Sequence, residues 1–339
     1  MEQQHGRVTT VDGTVVAYAA AGSGRPLVYV MGWLSHLELS WQLPEERAFY
    51  EALAKGRRLV RYDRAGCGLS PGSSRAPSLE FELEQLDAVV AMLGADTFDL
   101  MGTSMGAPVA AAWAAANRGR VGRLVLYGGW ARGADVSPPD VRAHLLGLVE
   151  SHWGLGSDVL TDIFAPDADR ATRADFGRYQ RACSTAATAR ALLALSYELD
   201  VSGLLGRITA PTLVVHRTHD RATPAAQAEV LAAGIPGAQL ALLPGRSHLP
   251  YAGDRDELVR AVRRFLGLRP GRRSSGVLTA RQYEVAKLVS EGCTNREIAS
   301  RLGIDERSAE GHVERIRLRL GFRSRAQIAA WFAEQPDRR

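Results

Sequence analysis

The chain has 339 residues, 46% hydrophobic and 23% charged, with a formal net charge of +5. That balance suits a globular protein long enough for one large core and one small one, and argues against disorder or a collagen-like repeat. No run approaches the ~18 uncharged apolar residues of a membrane span and the amino terminus lacks a leader's basic flank, so a cytoplasmic protein with no membrane partner is expected; Cys67, Cys183 and Cys293, odd in number and far apart, suggest neither a disulfide framework nor a zinc cluster.

In chain order, residues 6–20 read as a hairpin turning at Asp12-Gly13. Short apolar runs follow at 27–30, 59–62, 98–101, 124–127, 212–215 and 239–242, several rich in Val and Leu on successive positions and separated by amphipathic stretches. Strands covered on both faces look like this, so a mostly parallel, doubly wound α/β sheet is expected over residues 1–267. Between Tyr127 and Thr212 the alternation gives way to a long helical stretch containing Trp130, Trp153, Phe164, Phe176, Tyr179 and Tyr197, read as a lid at about 131–208.

The run ending at Met101 leads into Gly102-Thr-Ser104-Met-Gly106 and then Ala107-Pro-Val-Ala-Ala-Ala-Trp. A Gly-x-Ser-x-Gly between a strand and a helix has a steric reason: the tight turn that exposes the serine crowds the positions two before and two after it. Pro108 fits the first helical turn, where the N–H has no intrahelical acceptor, and the N–H of Met105 is a candidate oxyanion donor. A serine hydroxyl needs a base, and the base an orienting carboxylate. Asp220 follows the run 212–215 in Pro211-Thr-Leu-Val-Val-His-Arg-Thr-His-Asp220, and His248 lies in the loop Leu242-Leu-Pro-Gly-Arg-Ser-His248-Leu-Pro. His216 and His219 are rival bases; His216 falls inside the strand and His219 adjoins the acid in sequence, which favours His248. The chemistry of Ser104, Asp220 and His248 calls for no cofactor and no metal.

Residues 268–276 pack Gly, Pro and Ser among arginines and read as a linker to a separate module at 277–339. Residues 263–339 hold seventeen Lys+Arg against nine Asp+Glu, a surplus of eight that leaves residues 1–262 at −3. A basic tail on a mildly acidic body points to a polyanion. The module reads as three helices, with Thr279 and Thr294 as N-caps and Gly292 and Gly303 at helix ends, the arrangement of a helix-turn-helix. In the third helix Ala309, Val313, Ile316 and Leu320 form one stripe, leaving Arg307, Glu310, Gly311, Glu314, Arg315 and Arg317 for a groove.

Residues 6–267 resemble the α/β-hydrolase superfamily: the nucleophile turn, Arg61-Tyr-Asp-Arg-Ala-Gly-Cys-Gly-Leu-Ser70, and the approach to His248 from Ile235 all follow its pattern. The resemblance implies Ser104 as nucleophile, Asp220 as acid and His248 as base, with the N–H of Trp33 as second oxyanion donor. Met31-Gly32-Trp33 departs from the family's His-Gly-x, which weakens inference about the substrate. His36 and Glu38 are candidates for the pocket wall or for a structural pair. Residues 277–333 resemble the LuxR-type DNA-binding domain through Leu278-Thr-x-Arg-x-x-Glu-Val, Asn295-x-Glu-Ile-Ala-x-x-Leu-x-Ile and Arg319-Leu-Gly. That resemblance implies contacts to double-stranded DNA from Asn295, Arg296, Arg307, Ser308, Glu310, Gly311, Glu314, Arg315, Arg319, Arg323 and Arg325, and a homodimer on paired half-sites. Glu310 and Glu314 at base-facing positions can accept from cytosine and repel phosphate, so phosphate contact would fall to the arginines.

These features imply a DNA-binding transcriptional regulator whose hydrolase-like domain takes a small ester, lactone or similar metabolite. Two alternatives stay open: a serine hydrolase that uses the helical module for dimerisation or docking, and a receptor that binds its ligand without turnover.

Overall fold

The structure is a computed structural model and describes residues 1–268, 278, 280–320, 322 and 324–333. Thr279, Arg323 and the expected linker beyond Leu268 lie outside the described residues, as does the side chain of Arg319. The chain divides into two compact units, Met1–Arg269 and Pro270–Arg339.

The first unit is built on eight strands: β1 (Gln4–Thr9), β2 (Val15–Gly22), β3 (Pro26–Val30), β4 (Arg58–Asp63), β5 (Phe98–Thr103), β6 (Val121–Tyr127), β7 (Thr212–Arg217) and β8 (Gln239–Leu243). They lie in the order β1-β2-β4-β3-β5-β6-β7-β8. The β1–β2 hairpin pairs antiparallel, with Gln4 opposite Ala20, and β2 runs antiparallel to β4; every later neighbour is parallel. Parallel pairing demands long crossovers, which α1 (Leu37–Gln42), α2 (Pro44–Ala54), α3 (Leu79–Ala91) and α4 (Gly106–Ala116) supply among the early strands. The continuous apolar runs have the reason anticipated for them: β3 from Leu27 onward and all of β5 are buried on both faces. Helix α4 is buried from Gly106 to Ala115; its alanines let it sit close on the sheet, with Trp113 filling the space against Phe98.

Between β6 and β7 the chain builds α5 (Pro139–Ser151), α6 (Trp153–Phe164), α7 (Arg170–Cys183) and α8 (Ala186–Glu198), the helices of the lid. Then α9 (Ala226–Gly234) and α10 (Arg255–Phe265) return to the sheet. Among the described residues no helix is long and apolar enough to cross a membrane.

The second unit holds α11 (Ala280–Ser290), α12 (Asn295–Leu302), α13 (Glu306–Leu320) and α14 (Arg325–Ala333) around Val285, Ala286, Ile298, Ala309, Ile316 and Ile328. Thr294 caps α12 in a reciprocal pair with Glu297, and Gly303 takes φ 64° at its end, where a side chain would be strained. The three expected helices are joined by a fourth: α14 inserts Ile328, with Trp331 and Phe332 packed beside it.

Candidate active site and nucleic-acid interface

Ser104 stands between β5 and α4 with φ 54°, the positive-φ non-glycine residue of the described backbone. The glycines flanking it are required by space: a Cβ at Gly102 would meet the Gly106 carbonyl oxygen at 2.3 Å, and one at Gly106 the Val30 carbonyl oxygen at 2.2 Å. The serine is thus held in a conformation that an L-residue adopts at a cost of order 1–3 kcal/mol.

His248 Nε2 lies 2.7 Å from Ser104 Oγ, and its Nδ1 2.7 Å from Asp220 Oδ2. A carboxylate oxygen accepts, so Nδ1 carries the proton and Nε2 is left basic toward the hydroxyl. The other oxygen of Asp220 accepts the N–H groups of Ala222 and Thr223 in the turn after β7. Burial pushes the Asp220 carboxyl up, but the His248 charge and hydrogen bond prevail and hold it below the usual carboxylate range. The rival histidines sit elsewhere. His216, fully buried in β7, places Nε2 2.9 Å from the Thr223 carbonyl and 3.6 Å from Asp220, and burial pushes its pKa down, toward the neutral ring. His219 is exposed.

Arg64 fixes the loop after β3. Its guanidinium donates to the carbonyls of Gly32 and Met31 and pairs with Glu82 at 3.0 Å, all but sealed from solvent. Asp63 beside it accepts from Ser35 Oγ and from the N–H groups of Leu37 and Leu69. These two residues, read in the sequence as a motif without a task, brace Trp33 beside the serine. Among the described residues no protein acceptor meets the N–H of Trp33 or Met105. His36 caps α1 through its ring and Glu38 is exposed; neither is among the residues that line the cavity.

That cavity, about 270 Å³, lies under the lid, with Ser104 and His248 facing apolar walls from Trp33, Trp130, Leu160 and Phe164. Phe164 also reaches back to the base: its carbonyl accepts the His248 N–H at 2.8 Å and the Ser247 hydroxyl.

In the second unit Arg296, Arg307, Glu310, Glu314 and Arg315 are exposed, whereas Ser308 and Gly311 are half-buried. Asp305 caps α13 by accepting the Ser308 N–H and hydroxyl, and Glu314 pairs with Arg317. Arg325 and Asn295 are bonded to each other at 2.6 Å, and Arg325 also donates to the Cys293 carbonyl. The contact fastens α14 to the turn before α12, a partnership that no local pattern announced.

Comparison with known proteins supplies two family matches: alpha/beta hydrolase fold over residues 25–253, and bacterial regulatory proteins of the luxR family over 276–332. A pyrrolizixenacetamide deacetylase of Xenorhabdus hominickii is 27% identical over 257 residues, covering 74% of this chain and 94% of that one. An esterase from Exiguobacterium antarcticum superposes with a TM-score of 0.67 at 22% identity, over 77% of this chain and 98% of its own. At the other end, an HTH-type transcriptional regulator of Mycobacterium bovis is 37% identical over 75 residues, 22% of this chain and 8% of that much longer protein.

Proposed function

The chain belongs to the α/β-hydrolase family and carries a LuxR-type helix-turn-helix domain, and from that membership we propose that it is a DNA-binding transcriptional regulator whose hydrolase domain binds and hydrolyses a small ester, lactone or similar metabolite. The observation that carries the reading is the unbroken line from Ser104 Oγ through His248 to Asp220, with both links at 2.7 Å, at the floor of an apolar cavity.

In this reading Ser104 Oγ attacks the carbonyl carbon as His248 Nε2 takes its proton. The oxyanion forms where the N–H groups of Trp33 and Met105 are free to receive it. The imidazolium returns the proton to the leaving oxygen, and the acyl-enzyme is hydrolysed by water that the same nitrogen activates. Asp220, held ionised, keeps the ring oriented and stabilises its charge. No step calls on a metal or an organic cofactor.

For the second unit we take α13 as the element that enters the major groove, with Arg296, Arg307 and Arg315 toward phosphates and Glu310 toward a base edge. Action as a homodimer on paired half-sites, in the cytoplasm, rests on likeness to LuxR-type regulators. Ligand and DNA must then influence each other's affinity by the same factor.

The test pairs two variants of the full chain. Ser104→Ala is expected to abolish cleavage of short acyl esters, by about 10⁴-fold or more, while still retarding duplex DNA. Deletion of residues 274–339 is expected to do the reverse. Unchanged ester turnover in the first variant, or equal DNA retardation by the second, defeats the corresponding half of the reading.

A further inference from the structure

A smaller chamber of about 70 Å³ adjoins the lid cavity and shares Trp33, Ser104, Phe164 and His248 with it. The rest of its wall is mostly apolar, and Tyr29, Glu46, Tyr50, Gln180 and Tyr251 bring polar groups into it. Glu46 comes from the first turn of α2 and Gln180 from α7 of the lid, so the body and its cover each send one polar side chain to the same small space.

Both side chains end in an acceptor that lacks a donor. Glu46 is 3% exposed and Gln180 1%. The Tyr50 hydroxyl donates to Glu46 Oε1 at 2.6 Å and the Tyr251 hydroxyl is also turned toward the carboxyl, yet Oε2 has no partner at hydrogen-bond geometry. The Gln180 amide donates to the Ser157 carbonyl at 2.9 Å and to Thr161 Oγ1, which fixes the nitrogen end; its Oε1 is left unmet. A buried polar atom without a partner costs about 1–3 kcal/mol. Two residues carrying such atoms line one chamber beside a nucleophile, which leaves room there for a donor from a bound molecule. Burial lifts the Glu46 carboxyl to about 7 despite the Tyr50 hydrogen bond, the nearby Arg61 and the Tyr251 hydroxyl, so an arriving donor would also relieve its ionised form.

We propose that this chamber is a donor-recognising subsite of the Ser104 centre: the substrate's leaving part occupies the apolar lid cavity, and its short acyl part ends in an amino group that donates to both Glu46 and Gln180 or in a hydroxyl that donates to one of them. The space takes an acyl group of roughly three or four heavy atoms. Its wide neighbour, lined by Trp33 and Trp130, suits an aromatic or aliphatic leaving group. The proposal rests on the hydrolase reading of Ser104, and its test keeps the two apart.

The probes are p-nitrophenyl esters of butanoate, 3-hydroxypropanoate and β-alanine, equal in size and differing in the terminal methyl, hydroxyl or amino group. With the full chain, kcat/KM for the better of the two donor-bearing esters is expected to exceed that for butanoate by about tenfold, the effect of one hydrogen bond to a charged acceptor. Which one leads identifies a neutral or a cationic head. For the amino ester Glu46→Met and Gln180→Met are each expected to reduce that ratio at least about fivefold, so either serves if the other does not fold; for the hydroxy ester at least one of the two is. A wild-type ratio near one, or a ratio that both variants leave unchanged, overturns the subsite while the hydrolase reading stands on butanoate cleavage. If no ester is cleaved, that reading fails instead. Calorimetric binding of methyl 3-hydroxypropanoate, methyl β-alaninate and methyl butanoate to Ser104→Ala then decides the subsite: tighter binding of a donor-bearing ester supports it, and equal affinities overturn it.

Discussion

The two functional faces of this molecule handle charge in opposite ways. In the body, Asp220, Asp63, Arg64 and Glu82 lie almost wholly out of solvent, each tied to named partners. On α13, Arg307, Glu310, Glu314 and Arg315 stand in solvent, and ion pairs such as Glu314–Arg317 join residues three apart on one helix. Buried groups of this kind have a single workable geometry, because an unpartnered charge in the interior is heavily penalised. Exposed pairs contribute about 0–1 kcal/mol each and are screened by salt. Damage to the body should therefore be abrupt, and damage to α13 gradual.

The sharpest way to break that contrast is Gly106→Ala. Its methyl would meet the Val30 carbonyl oxygen at 2.2 Å, and neither backbone has room to yield. We expect a loss of more than about 3 kcal/mol in the body's stability and of nearly all ester cleavage, with the second unit's melting unchanged; a normal melting curve for the body would contradict it. Titration offers a finer comparison. The Glu46 value in the fold lies near 7, above its ordinary 4.5, so its stabilising contribution is full below about pH 4.5 and is lost as the pH rises through 7. On the order of 3 kcal/mol should disappear between pH 4.5 and 8, and Glu46→Gln should flatten the dependence, as urea unfolding at several pH values would reveal. Asp220 has the opposite sign: its depressed value stabilises the fold above about pH 4 and ceases to do so in stronger acid. The smallest effect belongs to α13. A methyl at Gly311 would touch the Arg315 guanidinium at an ordinary 3.6 Å, so Gly311→Ala should stabilise the second unit by about 1 kcal/mol. A decrease in its melting temperature would show that the open position at 311 is structural.

Elements whose logic is local could be read from the residues alone. The crowding around Ser104, the Thr294 cap and the αL glycine at 303 are each decided within a few positions, and each is found in the structure. The choice among three histidines was harder, and geometry reserves the hydrogen bond to Ser104 for His248. Helix α14 escaped because its apolar residues are spread around the helix instead of along one stripe, leaving no period to detect. Glu46 was invisible for another reason. Two adjacent glutamates behind Pro44 look like the ordinary acidic start of a helix, and only the packed lid shows that one of them turns inward. Arg64 likewise gains its task from Gly32, thirty-two positions earlier.

Phe164 forms part of the cavity's roof and also suspends the loop that bears His248. A guest bulky enough to raise the roof would draw the imidazole away from the hydroxyl, so under the proposed hydrolysis the fit of the molecule inside would govern how quickly it is destroyed. Compact guests would be cleared, whereas oversized ones would linger intact, giving the chamber a built-in clock set by the dimensions of what it holds.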